Sequence, residues 1–140
     1  MKARIQWLEN VRFSGTADSG HQVMIDGPPE AGGDNAGFRP MELVLTGLGG
    51  CTAFDVISIL QKSRQQVTGC EVELDAERAD TIPKVFTKIH IHFIVTGKNL
   101  KPASVARAVD LSAEKYCSAT LMLRDKVEIT HDFEIVEPGE

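Results

Sequence analysis

The chain of 140 residues is 42% hydrophobic and 25% charged, and its formal net charge is -5 at pH 7. This composition is typical of a globular protein, and the acidic balance argues against nucleic-acid binding, which requires a basic surface. The length predicts one domain over residues 1–140. The N-terminus holds no signal-peptide core and the three cysteines lack dense spacing, so we expect a protein of the reducing cytoplasm.

The N-terminal part of the chain alternates between apolar and polar residues. This pattern predicts a β-meander over residues 1–26, with strands at 3–8, 11–16 and 21–26. Residues 27–39 are rich in glycine and proline and predict a flexible loop. Pro40 suits the first position of a helix, so we predict a central helix over residues 40–64.

The first half of this predicted helix is apolar on nearly every side, which predicts that it is enclosed. Glu42, Thr46 and Asp55 interrupt or bracket the apolar run of residues 43–60. The run therefore falls short of the ~18–20 apolar residues that a membrane span needs. We expect a buried core helix and no membrane insertion.

The C-terminal part of the chain combines strands and helices. Residues 71–97 predict an antiparallel hairpin of strands 71–77 and 84–96, in which an acidic outer face lies near a basic one. Helices are predicted over residues 101–124, with the first over 102–117, and a last strand over 127–136. The order β-β-β-α-β-β-α-α-β predicts an α+β fold.

Two cysteines lie in helical stretches that are far apart in sequence, Cys51 in the central helix and Cys117 in a later one. Three glycines just before Cys51 each cost a helix roughly 1 kcal/mol relative to alanine. Close approach of another element to the sulfur would explain them; they are Gly47, Gly49 and Gly50. The pattern predicts a two-thiol redox centre, and the alternative is that Cys51 is an inert core residue.

The remaining cysteine and the histidines have simpler explanations. Cys70 opens a strand and is predicted to be structural. His90 and His92 share one strand face and could offer metal ligands, but His21 and His131 are remote in sequence. We therefore expect a solvated strand face, no metal site and no cofactor.

The order of these features resembles the OsmC/Ohr family. It comprises a Pro-x-Glu-Leu helix start at Pro40, a cysteine eleven positions later, a β-hairpin, and a second cysteine at the end of a later helix. The stretches ILQKSRQ, HFIVTG and RAVDLSAEKYCS are similar to its YhfA-like branch. The resemblance implies an intertwined homodimer, with central helices wrapped by antiparallel sheets.

The resemblance also implies an activity, the reduction of organic hydroperoxides in stress defence. Cys51 would be the peroxidatic thiol and Cys117 the resolving thiol, and an external dithiol would restore both. Two alternatives stay open. One is a non-enzymatic binding protein for a small apolar ligand, and the other is a thiol–disulfide redox sensor.

The site departs from the family pattern at one position. In the hydroperoxide-resistance branch a glutamate directly follows the helix-start proline and works with an arginine of the meander. Here Met41 takes that place and the acid is Glu42, nine residues before Cys51. At ~100° per residue the two lie on opposite faces of a helix. Arg12 is the candidate arginine by location, while Asp55 lies on nearly the face of Cys51, where its carboxylate opposes a thiolate.

Overall fold

A computed structural model describes residues 1–139 of the chain and confirms the α+β class. In chain order the elements are β1 (Ala3–Glu9), β2 (Arg12–Ala17), β3 (Gln22–Ile25), α1 (Pro40–Lys62), β4 (Gln66–Arg78), β5 (Phe86–Lys98), α2 (Pro102–Leu111), α3 (Ser118–Leu123) and β6 (Glu128–Val136). This order does not conflict with the predicted one. Assembly as an intertwined homodimer stays a prediction.

The chain divides into two compact units, Met1–Thr46 and a second unit that begins at Gly47. The boundary falls within the continuous helix α1. A single domain over residues 1–140 therefore stays a prediction.

The first unit is an antiparallel sheet in the order β1-β2-β3, followed by an ordered connection to α1. Buried Asp26 accepts hydrogen bonds from the backbone N–H groups of Gly27 (2.8 Å), Asp34 (3.0 Å) and Ala36 (3.0 Å). Gly33 has no room for a side chain, because a Cβ there would collide with the carbonyl of Gly27. Three backbone N–H groups of the segment predicted as a flexible loop are thus hydrogen-bonded to one carboxylate.

The second unit contains a three-stranded sheet in the order β4-β5-β6. β4 and β5 are antiparallel, and Glu73 lies opposite His92 as the charge pattern predicts. β4 begins at Gln66, earlier than predicted. The sequence pattern did not reveal this start because a register shift between Val67 and Gly69 interrupts the alternation. β6 pairs with β5 in parallel.

Helix α1 buries one stripe of side chains: Leu48, Gly49, Thr52, Val56 and Leu60. The expectation that it is enclosed on nearly every side is not met within one chain, because Phe54 remains 77% exposed. The other faces of the helix are partly buried or exposed. The length of the helix and its mean hydropathy of 1.8 would also suit a membrane span, a property that core helices share.

The glycine-rich stretch before Cys51 allows one close approach. A Cβ added to Gly49 would lie 2.7 Å from Cδ1 of Leu74 on β4, whereas one added to Gly47 or Gly50 would meet nothing within 4 Å. The packing explanation from the sequence thus applies to Gly49 within this chain.

The predicted helix over residues 102–117 is not regular to its end. α2 stops at Leu111, a π-helical turn follows over Ser112–Tyr116, and Cys117 adopts extended backbone at φ −74 and ψ 103. Cys117 is therefore the N-cap of α3 rather than the last residue of a helix.

We predict that Gly49→Val destabilises the protein by about 1–3 kcal/mol, the usual range for overpacking a core. Leu74→Ala in the same chain removes the obstructing methyl groups and should recover part of this loss. Denaturant unfolding of the two single variants and the double variant measures the coupling. A Gly49→Val protein as stable as the wild type would contradict the close approach.

We predict that Asp26→Asn lowers the melting temperature at neutral pH. The N–H of Ala36 is the largest of several influences that hold the pKa of Asp26 below its usual value. The stability from this carboxylate is therefore fully present above the unfolded pKa of about 3.9 and is lost as pH falls through the lowered native pKa. Thermal unfolding against pH should show the two proteins converging in acid, and a constant difference would contradict this role.

Candidate functional site

The fold brings the two predicted redox cysteines together. Sγ of Cys51 on α1, Sγ of Cys117 at the start of α3 and one carboxylate oxygen of Asp55 all lie within 4.8 Å of one another. Both cysteines are free thiols. We call these three residues the thiol–carboxylate cluster. Cys70 lies outside it, on β4.

Local backbone geometry explains the position of Cys117. The π-helical turn before it closes with a hydrogen bond of 2.8 Å from the Cys117 N–H to the carbonyl of Ser112. The Cys117 sulfur then accepts a hydrogen bond from the backbone N–H of Thr120 at 3.4 Å. π-helical turns are rare and occur often at functional sites. Here the turn ends the helix and points the sulfur at α1.

A chain of buried hydroxyl groups holds the carboxylate of the cluster. Ser112 Oγ donates to Asp55 Oδ2 at 3.1 Å and lies 2.7 Å from Thr52 Oγ1. An ionised carboxylate can only accept hydrogen bonds. The Ser112 hydroxyl therefore donates its hydrogen bond to Asp55, and the Thr52 hydroxyl donates to Ser112 Oγ. Thr52 and Ser112 are both buried. The chain fixes one oxygen of Asp55.

The surroundings of Cys117 favour its protonated form. Burial is the largest influence and raises the pKa of the Cys117 thiol, while hydrogen bonds from Thr120 oppose that rise. The proximity of Cys51 raises this pKa further. Burial also raises the pKa of Cys70, with a smaller contribution from the charge of Glu71.

A groove adjoins the cluster through Asp55. It has a volume of about 470 Å³, and its lining includes the apolar side chains of Phe54, Ile59, Leu111 and Tyr116 together with the basic residues Lys62 and Arg107. An alkyl group of modest size could lie against the apolar wall. The site therefore offers two thiols, one carboxylate and a neighbouring apolar surface.

The other two predicted site residues lie in the first unit, where both have local partners. Arg12 forms ion pairs with Asp34 at 2.7 Å and Glu9 at 3.2 Å. Glu42 Oε1 accepts a hydrogen bond of 2.7 Å from the backbone N–H of Arg39. This contact is the glutamate half of a helix capping box. Catalytic roles for Arg12 and Glu42 stay predictions.

The histidines of β5 pair with acidic residues of β6. His92 Nδ1 lies 2.6 Å from Asp132 Oδ1, and His90 Nε2 lies 3.1 Å from the same oxygen. The hydrogen bond to Asp132 is the largest influence raising the pKa of His92. The sequence placed these histidines on a solvated face but did not predict their carboxylate partner, which arrives through the parallel pairing of β6.

Ser112 and Thr52 are site residues that no sequence pattern predicted. A signal was available for Ser112, since this hydroxyl occupies a position on the otherwise apolar stripe formed by Val105, Ala108 and Val109. A buried hydroxyl needs a partner, but nothing in the sequence says that the partner is Asp55.

Comparisons with known proteins agree with this architecture. A sequence model of the OsmC-like protein family matches residues 32–132. Protein YhfA of Escherichia coli strain K12 is 57% identical over 136 residues, which cover 97% of this chain and 98% of YhfA. A hypothetical protein from Aquifex aeolicus VF5 is 26% identical with a TM-score of 0.85, and the match covers 97% of this chain and 96% of that one.

A more distant solved structure is named for a biological role. It is an organic hydroperoxide resistance protein OsmC from Legionella pneumophila, with a TM-score of 0.70, 15% identity and 95% of each chain covered. At this identity the match shows a shared fold.

We predict that iodoacetamide labels Cys51 before Cys117 in the native reduced protein. Cys51 is partly exposed and Cys117 is fully buried, and alkylation requires an accessible thiolate. Peptide mass spectrometry over a time course measures the order. Equal labelling in denaturant is the control, and earlier labelling of Cys117 under native conditions would contradict the described site.

Proposed function

Since this chain belongs to the OsmC-like protein family, we propose that it is a thiol-dependent peroxidase that reduces organic hydroperoxides in oxidative-stress defence. The observation that carries the proposal is the proximity of Cys51 and Cys117, whose sulfur atoms lie within 4.8 Å. The hydroperoxide resistance protein that shares the fold supports the same reaction class.

The first step of the proposed reaction oxidises Cys51. Its thiolate attacks one oxygen of the hydroperoxide, the O–O bond breaks, and the remaining alkoxide takes up a proton to leave as an alcohol. Cys51 becomes a sulfenic acid. We assign this role to Cys51 because it is the more accessible thiol of the pair.

The second step uses Cys117. Its sulfur attacks the sulfenic sulfur of Cys51, a disulfide forms and water leaves. A disulfide requires the sulfur atoms to close to about 2.05 Å, so one side chain must rotate or the backbone near Cys117 must shift. An external dithiol then reduces the disulfide by exchange and is itself oxidised.

The groove beside Asp55 supports an organic substrate rather than hydrogen peroxide. Its apolar wall can desolvate an alkyl group, and burial of apolar area contributes about 25 cal/mol per Å². Hydrogen peroxide has no apolar group to gain from this surface. We therefore propose a preference for alkyl hydroperoxides.

The proposal includes the setting in which the enzyme works. Phe54 and Met122 are 77% and 75% exposed, and exposed apolar side chains of this size support a homodimer that covers them. The dithiol requirement supports a reducing cytoplasm. Arg12 and Glu42 are proposed as further residues that help to position the reactive thiol.

We predict that Cys51→Ser abolishes consumption of cumene hydroperoxide in the presence of dithiothreitol. In a separate reaction without dithiothreitol, pre-reduced Cys117→Ser should react once per chain and stop at the Cys51 sulfenic acid, which a dimedone probe traps. Cys70→Ser is the matched control because it removes a partly buried cysteine outside the cluster. Peroxide turnover and the mass of the intact protein measure these outcomes.

Two results would contradict the peroxidase proposal and would separate the alternatives. A wild-type protein that forms the Cys51–Cys117 disulfide reversibly but does not turn over peroxide would be a redox sensor. A protein that forms no disulfide but binds alkyl compounds would be a binding protein. Retention of full turnover by Cys51→Ser would also exclude the assigned mechanism.

A further inference from the structure

The thiol–carboxylate cluster is difficult to explain by redox chemistry alone. Fully ionised, Cys51, Cys117 and Asp55 would place three negative charges within 4.8 Å of one another. Three like charges at this separation repel one another. The same arrangement is favourable when a cation sits between the three groups.

We infer that Cys51, Cys117 and Asp55 form a binding site for a thiophilic divalent cation of the Zn²⁺ class. Thiolate and carboxylate are established ligands of Zn²⁺. From the sequence we expected no metal site, because the histidines alone were weighed as metal ligands. The structure places the two predicted redox thiols and Asp55 within 4.8 Å of one another.

The geometry of the cluster fits a tetrahedral ion. Zn–S distances of about 2.3 Å and Zn–O distances of about 2.0–2.2 Å place tetrahedral ligand atoms about 3.5–3.8 Å apart. The three ligand atoms already lie within 4.8 Å of one another. Small side-chain rotations of Cys51 and Asp55, both only partly buried, would bring the three ligand atoms to these tetrahedral separations.

The residues around the cluster orient the ligands. Ser112 donates to Asp55 Oδ2 at 3.1 Å, and Thr52 supports Ser112 at 2.7 Å. The other oxygen of Asp55 can then face the sulfurs. The Thr120 N–H at 3.4 Å fixes the Cys117 sulfur. Hydrogen-bonded outer residues of this kind typically orient metal ligands and tune their affinity.

Charge balance supports binding with loss of protons. Each thiol that coordinates the ion releases its proton to solvent, and the two positive charges of the ion reduce the cluster from three negative charges to one. Three protein ligands leave a fourth position for water or another small ligand. Both sulfurs would then be coordinated. On the proposed function, the metal-bound protein could not form the Cys51 sulfenic acid.

The test uses the full chain, reduced and freed of metal by a chelator. Co²⁺ replaces Zn²⁺ as a coloured probe, and we expect the intense visible bands of a tetrahedral site together with thiolate-to-cobalt charge-transfer bands. Addition of Zn²⁺ should bleach both. An octahedral Co²⁺ spectrum, or no spectrum above that of free Co²⁺, would overturn the inference without any variant.

Variants then assign the ligands by competition of Zn²⁺ with a chromophoric chelator. Cys51→Ser, Cys117→Ser and Asp55→Asn should each lower the affinity more than Ser112→Ala, which should lower it about 10–100-fold as an outer residue. Cys70→Ser should leave the affinity unchanged. Loss of binding in Cys70→Ser, or wild-type affinity in Asp55→Asn, would contradict the assignment.

Peroxide turnover measured in the presence of a chelator separates this inference from the proposed function. Tetrahedral Co²⁺ binding without turnover of metal-free protein would overturn the peroxidase alone. Turnover without metal binding would overturn the metal site alone. If both hold, stoichiometric Zn²⁺ should block the single reaction of pre-reduced protein with hydroperoxide, measured without dithiol because dithiols bind Zn²⁺, and the chelator should restore it.

Discussion

The arrangement of the site depends on one buried hydroxyl group. Ser112 accepts a hydrogen bond from Thr52 of α1 and donates to Asp55 of the same helix. A buried hydroxyl without partners costs about 1–3 kcal/mol. These two hydrogen bonds therefore hold the end of α2 against α1 in one position. The π-helical turn begins at Ser112, and its carbonyl accepts from the Cys117 N–H. One residue therefore fixes both the carboxylate and the second sulfur.

The two proposals for the cluster, thiol oxidation and cation binding, make opposite demands on Asp55. Thiol oxidation is hindered by a neighbouring anion, whereas coordination of a divalent cation is strengthened by one. The hydroxyl chain keeps the carboxylate at the thiols in both cases. Competition between an ion and a hydroperoxide for the same sulfurs would let metal availability set the fraction of protein that is reactive.

The sequence predicts the local elements well because they leave periodic patterns. The meander, the central helix, the β4–β5 hairpin and the α+β class follow from alternation, helix starts and turns. The cysteine pair follows from the glycine-rich stretch before Cys51, and the roles of the two thiols follow from the family resemblance. The start of β4 was missed because its register shift breaks the period. The interrupted end of α2 was missed because a helical stripe cannot distinguish a π-helical turn from a regular one.

The contacts that the sequence could not predict join distant residues. The partnership of Ser112 with Asp55 and the parallel pairing of β6 with β5 leave no local signal. The role of Asp55 is the main example. Its position near Cys51 follows from helix geometry, but its neighbours depend on where α2 ends. Helix periodicity predicts on which face of its helix a side chain lies, but it does not predict which residues of other elements pack against that face.

The parallel β5–β6 pair has a consequence for biosynthesis. β5 is the middle strand of its sheet, and it pairs along one edge with β6, which follows both α2 and α3 in the chain. While the ribosome is still making those helices, β5 offers an unsatisfied edge of amide and carbonyl groups, the kind of template on which chains associate wrongly. Maturation of this unit must therefore await the emergence of β6, and chaperone shielding would matter most in that interval.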